Sequence, residues 1–182
     1  MKRTILVLFA AIAIAVAGLL AYAATRPSEF HVERSLAIAA PASAVFPHVN
    51  DLHKWEAWSP WDKLDPALKR TYDGAESGVG AAYSWAGNSD VGEGKMTITE
   101  STPNERIVIK LEFFTPVSAV NVAQLTFKPE GAGTRVAWSM DGTNNFAAKV
   151  FTLFMDLDKM IGGDFEKGLA SLKSIAETAP AK

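Results

Sequence analysis

The chain of 182 residues contains no cysteine. This absence excludes a disulfide framework, zinc or iron–sulfur sites held by thiolates, a thiol nucleophile and a lipid-anchored N-terminal cysteine. A domain of this length can be held together by its hydrophobic core alone, so a location outside the cytoplasm remains open.

Basic residues are few outside the first segment of the chain. Three of the 18 Lys and Arg residues, and none of the 20 Asp and Glu residues, lie within residues 1–26, so the remaining chain carries a formal charge of −5. No basic run stands in that part to follow a phosphate backbone. Nucleic acid is therefore not expected as a partner.

What the sequence does have is a long uncharged segment, Thr4–Thr25, preceded by Lys2 and Arg3. As a helix it is about 30 Å long, enough to cross the hydrocarbon core of a bilayer. Its length favours an uncleaved anchor, although Ala21-Tyr22-Ala23 resembles a signal-peptidase site and leaves a cleaved signal open. We predict a membrane anchor or signal in residues 1–26 and one folded domain in 27–182. Because Lys2 and Arg3 should stay cytoplasmic, the domain is expected on the periplasmic side, membrane-anchored, or periplasmic or secreted if the leader is cleaved.

The folded part begins with an alternating segment, FHVERSLAI (residues 30–38), which predicts a half-buried strand. Arg34 is the one charged residue on its apolar side. Two short helices are expected next, the first from Pro41 to about Asn50, with Pro47 shortening or kinking it.

Residues 68–142 read as successive strands separated by Gly, Pro and Asn turn residues. Short connections predict an antiparallel meander with one buried face. The predicted strands are Leu68–Tyr72, Gly80–Trp85, Gly94–Ser101, Arg106–Phe114, Val120–Lys128 and Thr134–Asp141.

The period then changes, because apolar residues recur every three or four positions from Phe154 to Ala176. This spacing predicts a long amphipathic C-terminal helix. Gly162 and Gly163 in its middle cost about 1 kcal/mol each relative to Ala, and close approach to the sheet is favoured over a functional hinge as their reason. The expected fold is α+β, a curved antiparallel sheet of about seven strands around the C-terminal helix.

The segment HKWEAWSPWDK (residues 53–63) places three tryptophans and two acids close together. Ser59-Pro60 should force a turn. We therefore expect Trp55 and Trp58 to pack the short helices onto the sheet, and Trp61 to cover an edge. Glu56 and Asp62 are expected on the solvent side, and a glycoside hydrolase pair is not favoured.

The familiar catalytic and metal-binding patterns are missing. His48, Asp51 and His53 match no zinc signature and suit surface or capping roles. No G-x-S-x-G is present, and the VGEGK segment precedes a strand, which favours a strand entry or bulge over a phosphate cradle. No catalytic residue, metal site or cofactor is predicted.

The inward faces of the predicted strands and helix carry large aromatic residues and methionines. Such residues are in most proteins simply core, but several here have polar tips, which suit an apolar pocket with a few orienting groups. If these faces enclose a space, its walls are Tyr83, Trp85, Met96, Ile98, Phe113, Trp138, Met140 and Phe165.

Several segments, in this order, resemble the START-like superfamily, in particular the SRPBCC proteins of the polyketide cyclase/dehydrase and lipid-transport type. They are VERSLAI with AAPASAVF, NDLHKWEAWSPWDK, GVGAAYSW, GTRVAWSM and GGDFEKGLASLKSIAE, and the resemblance covers roughly residues 30–178. It implies a helix-grip fold with a deep hydrophobic cavity that binds lipids, polyketides or other apolar small molecules. Trp58 and Trp61 match the W-S-P-W segment of the family and join the expected ligand-binding set. That set is Trp58, Trp61, Tyr83, Trp85, Met96, Phe113, Trp138, Met140 and Phe165.

We therefore expect a membrane-tethered domain that binds a hydrophobic small molecule or lipid, with no chemistry of its own. One alternative is a cyclase or dehydratase in which Tyr83 or a cavity-facing acid acts as general acid or base. Another is an interaction protein without a ligand. The sequence indicates neither the ligand nor an oligomeric state.

Overall fold

The computed structural model describes residues 2–178, so residue 1 of the predicted leader and residues 179–182 of the predicted domain lie outside the described part. A helix α1 (Lys2–Thr25) precedes strand β1 (Glu29–Ile38) and helix α2 (Ala42–Asn50), which includes Pro47. Two short 3-10 helices follow at Leu52–Ala57 and Trp61–Lys63. The remaining elements are β2 (Lys69–Gly74), β3 (Ala81–Ala86), β4 (Glu93–Thr102), β5 (Arg106–Thr115), β6 (Ala119–Glu130), β7 (Gly133–Thr143), α3 (Phe146–Phe151) and α4 (Leu157–Thr178).

The strands form one antiparallel sheet in the order β1-β7-β6-β5-β4-β3-β2. Strands β2 to β7 pair consecutively as a meander, and β1 joins the far edge by pairing with β7, with Val32 opposite Met140. The predicted seven-stranded α+β helix-grip fold is confirmed. Each strand lies within a few residues of its predicted position, because alternation and turn residues are local signals.

Helix α4 packs across the concave face of this sheet. Its apolar stripe of Phe165, Leu169, Leu172 and Ala176 is buried in the same core as the inward residues of the strands. The ring of Phe165 stacks on Trp138 of β7 with centroids 4.3 Å apart. Burying each of the large side chains contributes about 1.5–3 kcal/mol, which is why the amphipathic pattern of α4 stabilises the domain.

The predicted start of the C-terminal helix is wrong. The periodicity included Phe154, but Phe154 lies in a turn between α3 and α4 and is 72% exposed. A polar side chain marks the point where the second helix begins. Asp156 accepts a hydrogen bond from the Lys159 N–H at the start of α4 (3.2 Å), as Asn145 does from the Ala148 backbone N–H at the start of α3 (2.9 Å). Asp156 thereby satisfies a backbone donor that an uninterrupted helix would bond internally.

Arg34 and Gly162 explain one another. The Arg34 guanidinium lies under α4, 2.7 Å from Asp158 and 2.9 Å from Glu166. The hydrogen bond from Arg34 to Asp158 holds the pKa of that carboxyl below its usual range. A Cβ at Gly162 would stand 2.2 Å from the Arg34 Nη2 atom, whereas one at Gly163 would meet nothing within 4 Å. The predicted close approach of α4 to the sheet is therefore confirmed at Gly162. The side chain that Gly162 meets is Arg34, the one charged residue on the apolar side of β1.

Helix α1 is long and apolar enough, by length and composition, to cross a membrane. Leu6 near its start is 72% exposed, whereas Ala23 near its end is fully buried, because the last turns of α1 pack against α3.

Candidate functional site

A cavity of about 580 Å³ lies between the concave face of the sheet and the first turns of α4. The sheet supplies most of its wall through inward residues of β3 to β7. The 3-10 segment between α2 and β2 closes one side, and α3 and α4 close another. The central lining residues are Trp55, Trp61, Asp62, Tyr83, Trp85, Met96, Ile109, Leu111, Phe113, Asn121, Ala123, Trp138, Met140, Leu157, Met160, Ile161 and Asp164.

The structure brings seven of the nine predicted site residues together around this cavity. They are Trp61, Tyr83, Trp85, Met96, Phe113, Trp138 and Met140. The strand residues among them share one face because side chains alternate along a strand. Their role in binding a ligand remains a prediction.

Trp58 and Phe165 do not line the cavity. Both are fully buried beside Trp138, with ring centroids 5.3 Å and 4.3 Å from it. The Trp58 indole N–H donates to the His48 carbonyl (3.0 Å), so this ring also joins α2 to the core. These two residues support the Trp138 wall from behind. Ile98 is likewise fully buried in the core and does not line the cavity.

The tryptophan segment combines packing with cavity lining. Trp55 donates its indole N–H to the Val49 carbonyl (2.9 Å) and packs against Trp58, which agrees with the predicted role of both rings. Trp61 was predicted to cover an edge, but its ring packs edge-on against Trp138 and Phe165 and lines the cavity. The short 3-10 helix after Pro60 turns Trp61 inward.

The prediction that both acids of this segment face solvent is wrong for Asp62. Glu56 is exposed, but the Asp62 side chain is only 6% exposed and lies in the cavity wall. Arg70 of β2 donates to its Oδ1 atom at 2.8 Å, and the Tyr83 hydroxyl lies 3.4 Å from the same oxygen. A buried carboxylate needs such a partner, and the contact between the 3-10 helix of Asp62 and strand β2 cannot be read from local spacing.

Tyr83 presents a protonated hydroxyl at the cavity wall. Burial, followed by the nearby negative charge of Asp62, raises the pKa of Tyr83 well above its ordinary value. Its ring continues into a row of aromatic side chains, with Trp85 at 6.1 Å and Phe113 at 5.8 Å from Trp85. The hydroxyl can therefore donate or accept a hydrogen bond, but it is not a base near neutral pH.

Gly94 makes room for this aromatic row. A Cβ at Gly94 would stand 2.3 Å from the Trp85 ring, and the pairing of β4 with β5 shifts register between Glu93 and Gly94. The strand entry or bulge predicted for VGEGK is thereby confirmed.

Two polar atoms of cavity-lining residues have no hydrogen-bond partner within the described residues, and neither atom is accessible from the cavity. They are the Asn121 Oδ1 acceptor and the Trp138 Nε1 donor, and both are buried. They stand on adjacent strands four register positions apart, about 13 Å along the strand direction, because Leu125 is opposite Trp138. Asn121 was missed from the sequence, although a polar residue on the same face as Ala123 and Leu125 was a usable signal.

The cavity opens at one end of the sheet. Three of its lining residues, Leu64, Val117 and Met160, are between 45% and 52% exposed. They belong to the segment before β2, the β5–β6 connection and the start of α4. In the antiparallel register this is the end where β1 begins and β7 ends.

The histidine region has a structural role. Asp51 accepts a hydrogen bond from the His53 backbone N–H (3.0 Å) at the start of the first 3-10 helix, which confirms the predicted capping role. Within residues 2–178, no group of three or more His, Asp or Glu side chains is placed to hold a metal ion.

Comparison with known proteins places these features in a family. The family described as polyketide cyclase / dehydrase and lipid transport matches residues 29–177. No curated protein sequence matches the chain.

Several solved structures share the fold at low sequence identity. A protein from Nitrosospira multiformis is 23% identical, with 80% of this chain and 94% of that chain covered and a TM-score of 0.56. The Aha1 dimer protein from Colwellia psychrerythraea is 12% identical, with coverage of 84% and 99% and a TM-score of 0.58. The di-domain ARO/CYC protein BexL from the BE-7585A biosynthetic pathway is 18% identical, with coverage of 86% and 53% and a TM-score of 0.62.

Proposed function

The chain belongs to the polyketide cyclase/dehydrase and lipid-transport family, and from this premise we propose that its domain binds a hydrophobic small molecule or lipid. The ligand occupies the cavity between the sheet and α4, while α1 tethers the domain to a membrane. The domain lies on the periplasmic side, since Lys2 and Arg3 precede the apolar segment.

The single observation that carries the proposal is the cavity itself. Its volume of about 580 Å³ lies within the range of small-molecule sites, which are about 300–1,000 Å³ and mostly apolar. Burying an apolar ligand against the aromatic side chains of the cavity wall contributes about 25 cal/mol of binding free energy per Å² of apolar surface removed from water.

The polar residues of the wall indicate the ligand's chemistry. Asp62, Tyr83 and Asn121 stand among the apolar side chains that line the cavity. A ligand with an apolar body and one or two hydroxyl or carbonyl groups suits a mostly apolar wall with a few polar groups. This matches an amphiphile better than a pure hydrocarbon.

The proposal is tested by native mass spectrometry of the full chain released from nanodiscs prepared from the source membrane. The wild-type protein is expected to carry a lipid or other apolar adduct. Ala123→Phe, which adds a ring inside the cavity at a position that is 4% exposed, is expected to lose it. Ala119→Trp, nearer the mouth, serves as a second blocking variant.

The matched control is Ala137→Phe, which adds the same ring to the outer face of β7, beside the inward Trp138. It is expected to retain the adduct. The binding proposal is wrong if the wild-type protein carries no adduct, or if both cavity variants keep it while folded.

Whether α1 remains attached is decided separately. The length of the apolar segment supports an anchor, and N-terminal sequencing of the mature protein is expected to find residues before Ala23. A mature chain that begins after Ala23 would make the domain a released periplasmic or secreted protein.

One observation favours a second candidate, a cyclase or dehydratase-type enzyme. Asp62 and Tyr83 place a carboxylate and a protonated hydroxyl together at the cavity wall. BexL is described as an ARO/CYC protein and shares the fold of this chain, and this shared fold is compatible with the second candidate. However, the Asp62 carboxylate already accepts a hydrogen bond from Arg70. Recovery of the bound compound unchanged from both wild type and Tyr83→Phe would favour binding without chemistry, and a changed product found only with wild type would favour the enzyme.

A further inference from the structure

Exposed apolar side chains stand in the β5–β6 connection and from α3 to the start of α4, segments that also contribute residues to the cavity lining. We call these side chains the mouth surface. Its six side chains are between 42% and 72% exposed, and two of them, Val117 and Met160, also line the cavity. The mouth surface consists of Val117, Phe146, Phe151, Phe154, Met155 and Met160. A group of large apolar side chains exposed near a cavity mouth is a candidate protein or membrane contact.

The chain path joins this surface to the end of α1. Only residues 26–28 connect α1 to β1, and three residues span at most about 10 Å. The Ser28 carbonyl accepts a hydrogen bond from the Asn144 N–H (2.7 Å), and Asn145 begins α3. The tether and the mouth surface therefore leave the sheet at the same end.

The position of α1 also indicates where α3 would lie relative to a membrane. Its last turns pack against α3, where Ala23 is fully buried, while its first turns project away from the domain. A 24-residue helix is about 36 Å long, and the hydrocarbon core is about 30 Å thick. If α1 spans the bilayer, α3 stands where its C-terminal end leaves the hydrocarbon.

The charges beside the mouth surface are compatible with a lipid headgroup layer. Asp156 pairs with Lys159 (3.5 Å) and Asp158 with Arg34 (2.7 Å), so neither carboxylate of this segment stands alone. Arg26 follows directly on α1 and adds a cation next to the tether. Phenylalanines together with basic residues are a feature of segments that lie in the membrane interface.

We propose that the mouth surface docks on the bilayer leaflet from which α1 emerges, so that the cavity opens directly onto the lipid. This inference rests on the proposed function for the tether, and it deepens that function by identifying the bilayer as the source of the ligand. Phe151 and Phe154 insert among the acyl chains, and the ligand enters between Val117 and Met160 without crossing water.

The absence of cysteine makes the test direct. A single Cys is introduced into the full chain at Phe154 (F154C), labelled with a nitrobenzoxadiazole fluorophore and reconstituted in phosphatidylcholine and phosphatidylglycerol vesicles. Some of the lipids carry a nitroxide near the headgroup. The matched control is Val79→Cys, an apolar position that is 59% exposed in the β2–β3 turn at the opposite end of the sheet.

Strong quenching at position 154 with only background quenching at position 79 is the expected result. The double variant Phe151→Ser/Phe154→Cys is expected to show reduced quenching at position 154. Background quenching at both positions overturns the proposal, and so does a blue-shifted but unquenched label at 154, since that label would be covered by protein.

Failure of this proposal is distinct from failure of ligand binding. The adduct in native mass spectrometry reports on the cavity, and the nitroxide quenching reports on the surface. An adduct without quenching at position 154 overturns membrane docking and leaves the binding proposal intact. Quenching without an adduct supports docking and contradicts binding.

Discussion

Asp62, Arg70 and Tyr83 show how single polar residues are tolerated in an apolar wall. The carboxylate accepts from Arg70 at 2.8 Å and lies 3.4 Å from the Tyr83 hydroxyl. Charge and hydrogen bonding within the trio offset much of the cost of burial. Asn121 and Trp138 differ, since each keeps one polar atom without a protein partner in the described part of the chain. Because both atoms are shielded from the cavity, Asp62 and Tyr83, which line it, are the better candidates for orienting a ligand.

The raised pKa of Tyr83 predicts a loss of stability at alkaline pH. Tyrosine in the unfolded chain titrates near pH 10, and the folded pKa is higher, so the folded state favours the protonated form. This contribution is complete below about pH 10 and is lost as pH rises toward the folded pKa. Urea unfolding at about pH 8 and pH 11 is expected to show a larger loss of unfolding free energy for wild type than for Tyr83→Phe. Equal losses in the two proteins would contradict the prediction.

At the scale of elements, the contact between β1 and α4 depends on both partners. Strand β1 supplies Arg34, and α4 supplies two acids and a glycine over which the guanidinium fits. The adjacent Gly163 has open space around its missing side chain. The space at Gly162 is therefore taken up by the Arg34 side chain, whereas the space at Gly163 is open.

This difference predicts different effects on stability for two alanine substitutions. Gly163→Ala is expected to raise the unfolding free energy by about 1 kcal/mol, because Ala is the better helix former and meets no neighbour. Gly162→Ala is expected to lower it relative to Gly163→Ala, because the added methyl displaces the Arg34 guanidinium from Asp158 and Glu166. Chemical denaturation of both variants provides the measurement. Equal stabilisation by the two substitutions would show that Arg34 moves aside without cost.

At the scale of the whole molecule, the direction of the strands determines which end of the sheet carries the mouth of the cavity. Antiparallel pairing from β3 to β7 brings the mouth of the cavity, α3 and the end of α1 to one end of the sheet. The opposite end carries the turns after β2, β4 and β6. A space of about 580 Å³ inside the fold forfeits packing contacts, so the empty domain gives up stability for the capacity to bind.

Filling the space is therefore expected to stabilise the empty protein. With both proteins delipidated, Ala123→Phe should raise the free energy of unfolding by about 1 kcal/mol through cavity filling. Ala137→Phe, on the outer face, should give no comparable gain. Thermal unfolding of the full chain in amphipol, followed by near-ultraviolet circular dichroism, provides the measurement. A folded Ala123→Phe protein that melts below wild type would mean that no space is available at that position.

The sequence by itself determined the order of elements up to β7, the positions of the strands and the inward face of each. These features follow from alternation, helical periodicity and turn residues, which act over a few neighbouring residues. It also determined α1, because an uncharged segment of that length needs no tertiary contact to be recognised. The same locality explains the error at Phe154, where the helical period continued across the turn after which Asp156 caps a new helix.

Only the tertiary structure decided which inward residues are core and which line a cavity. Tyr83 and Phe165 both face inward, yet Tyr83 lines the space and Phe165 is packed behind Trp138. It also decided that Asp62 is buried, since the fold brings the 3-10 helix of Asp62 against Arg70 of β2. The reason is that burial in a cavity wall depends on the distance between the sheet and α4. Long-range packing sets the distance between the sheet and α4, and the periodicity of the sequence carries no information about that distance.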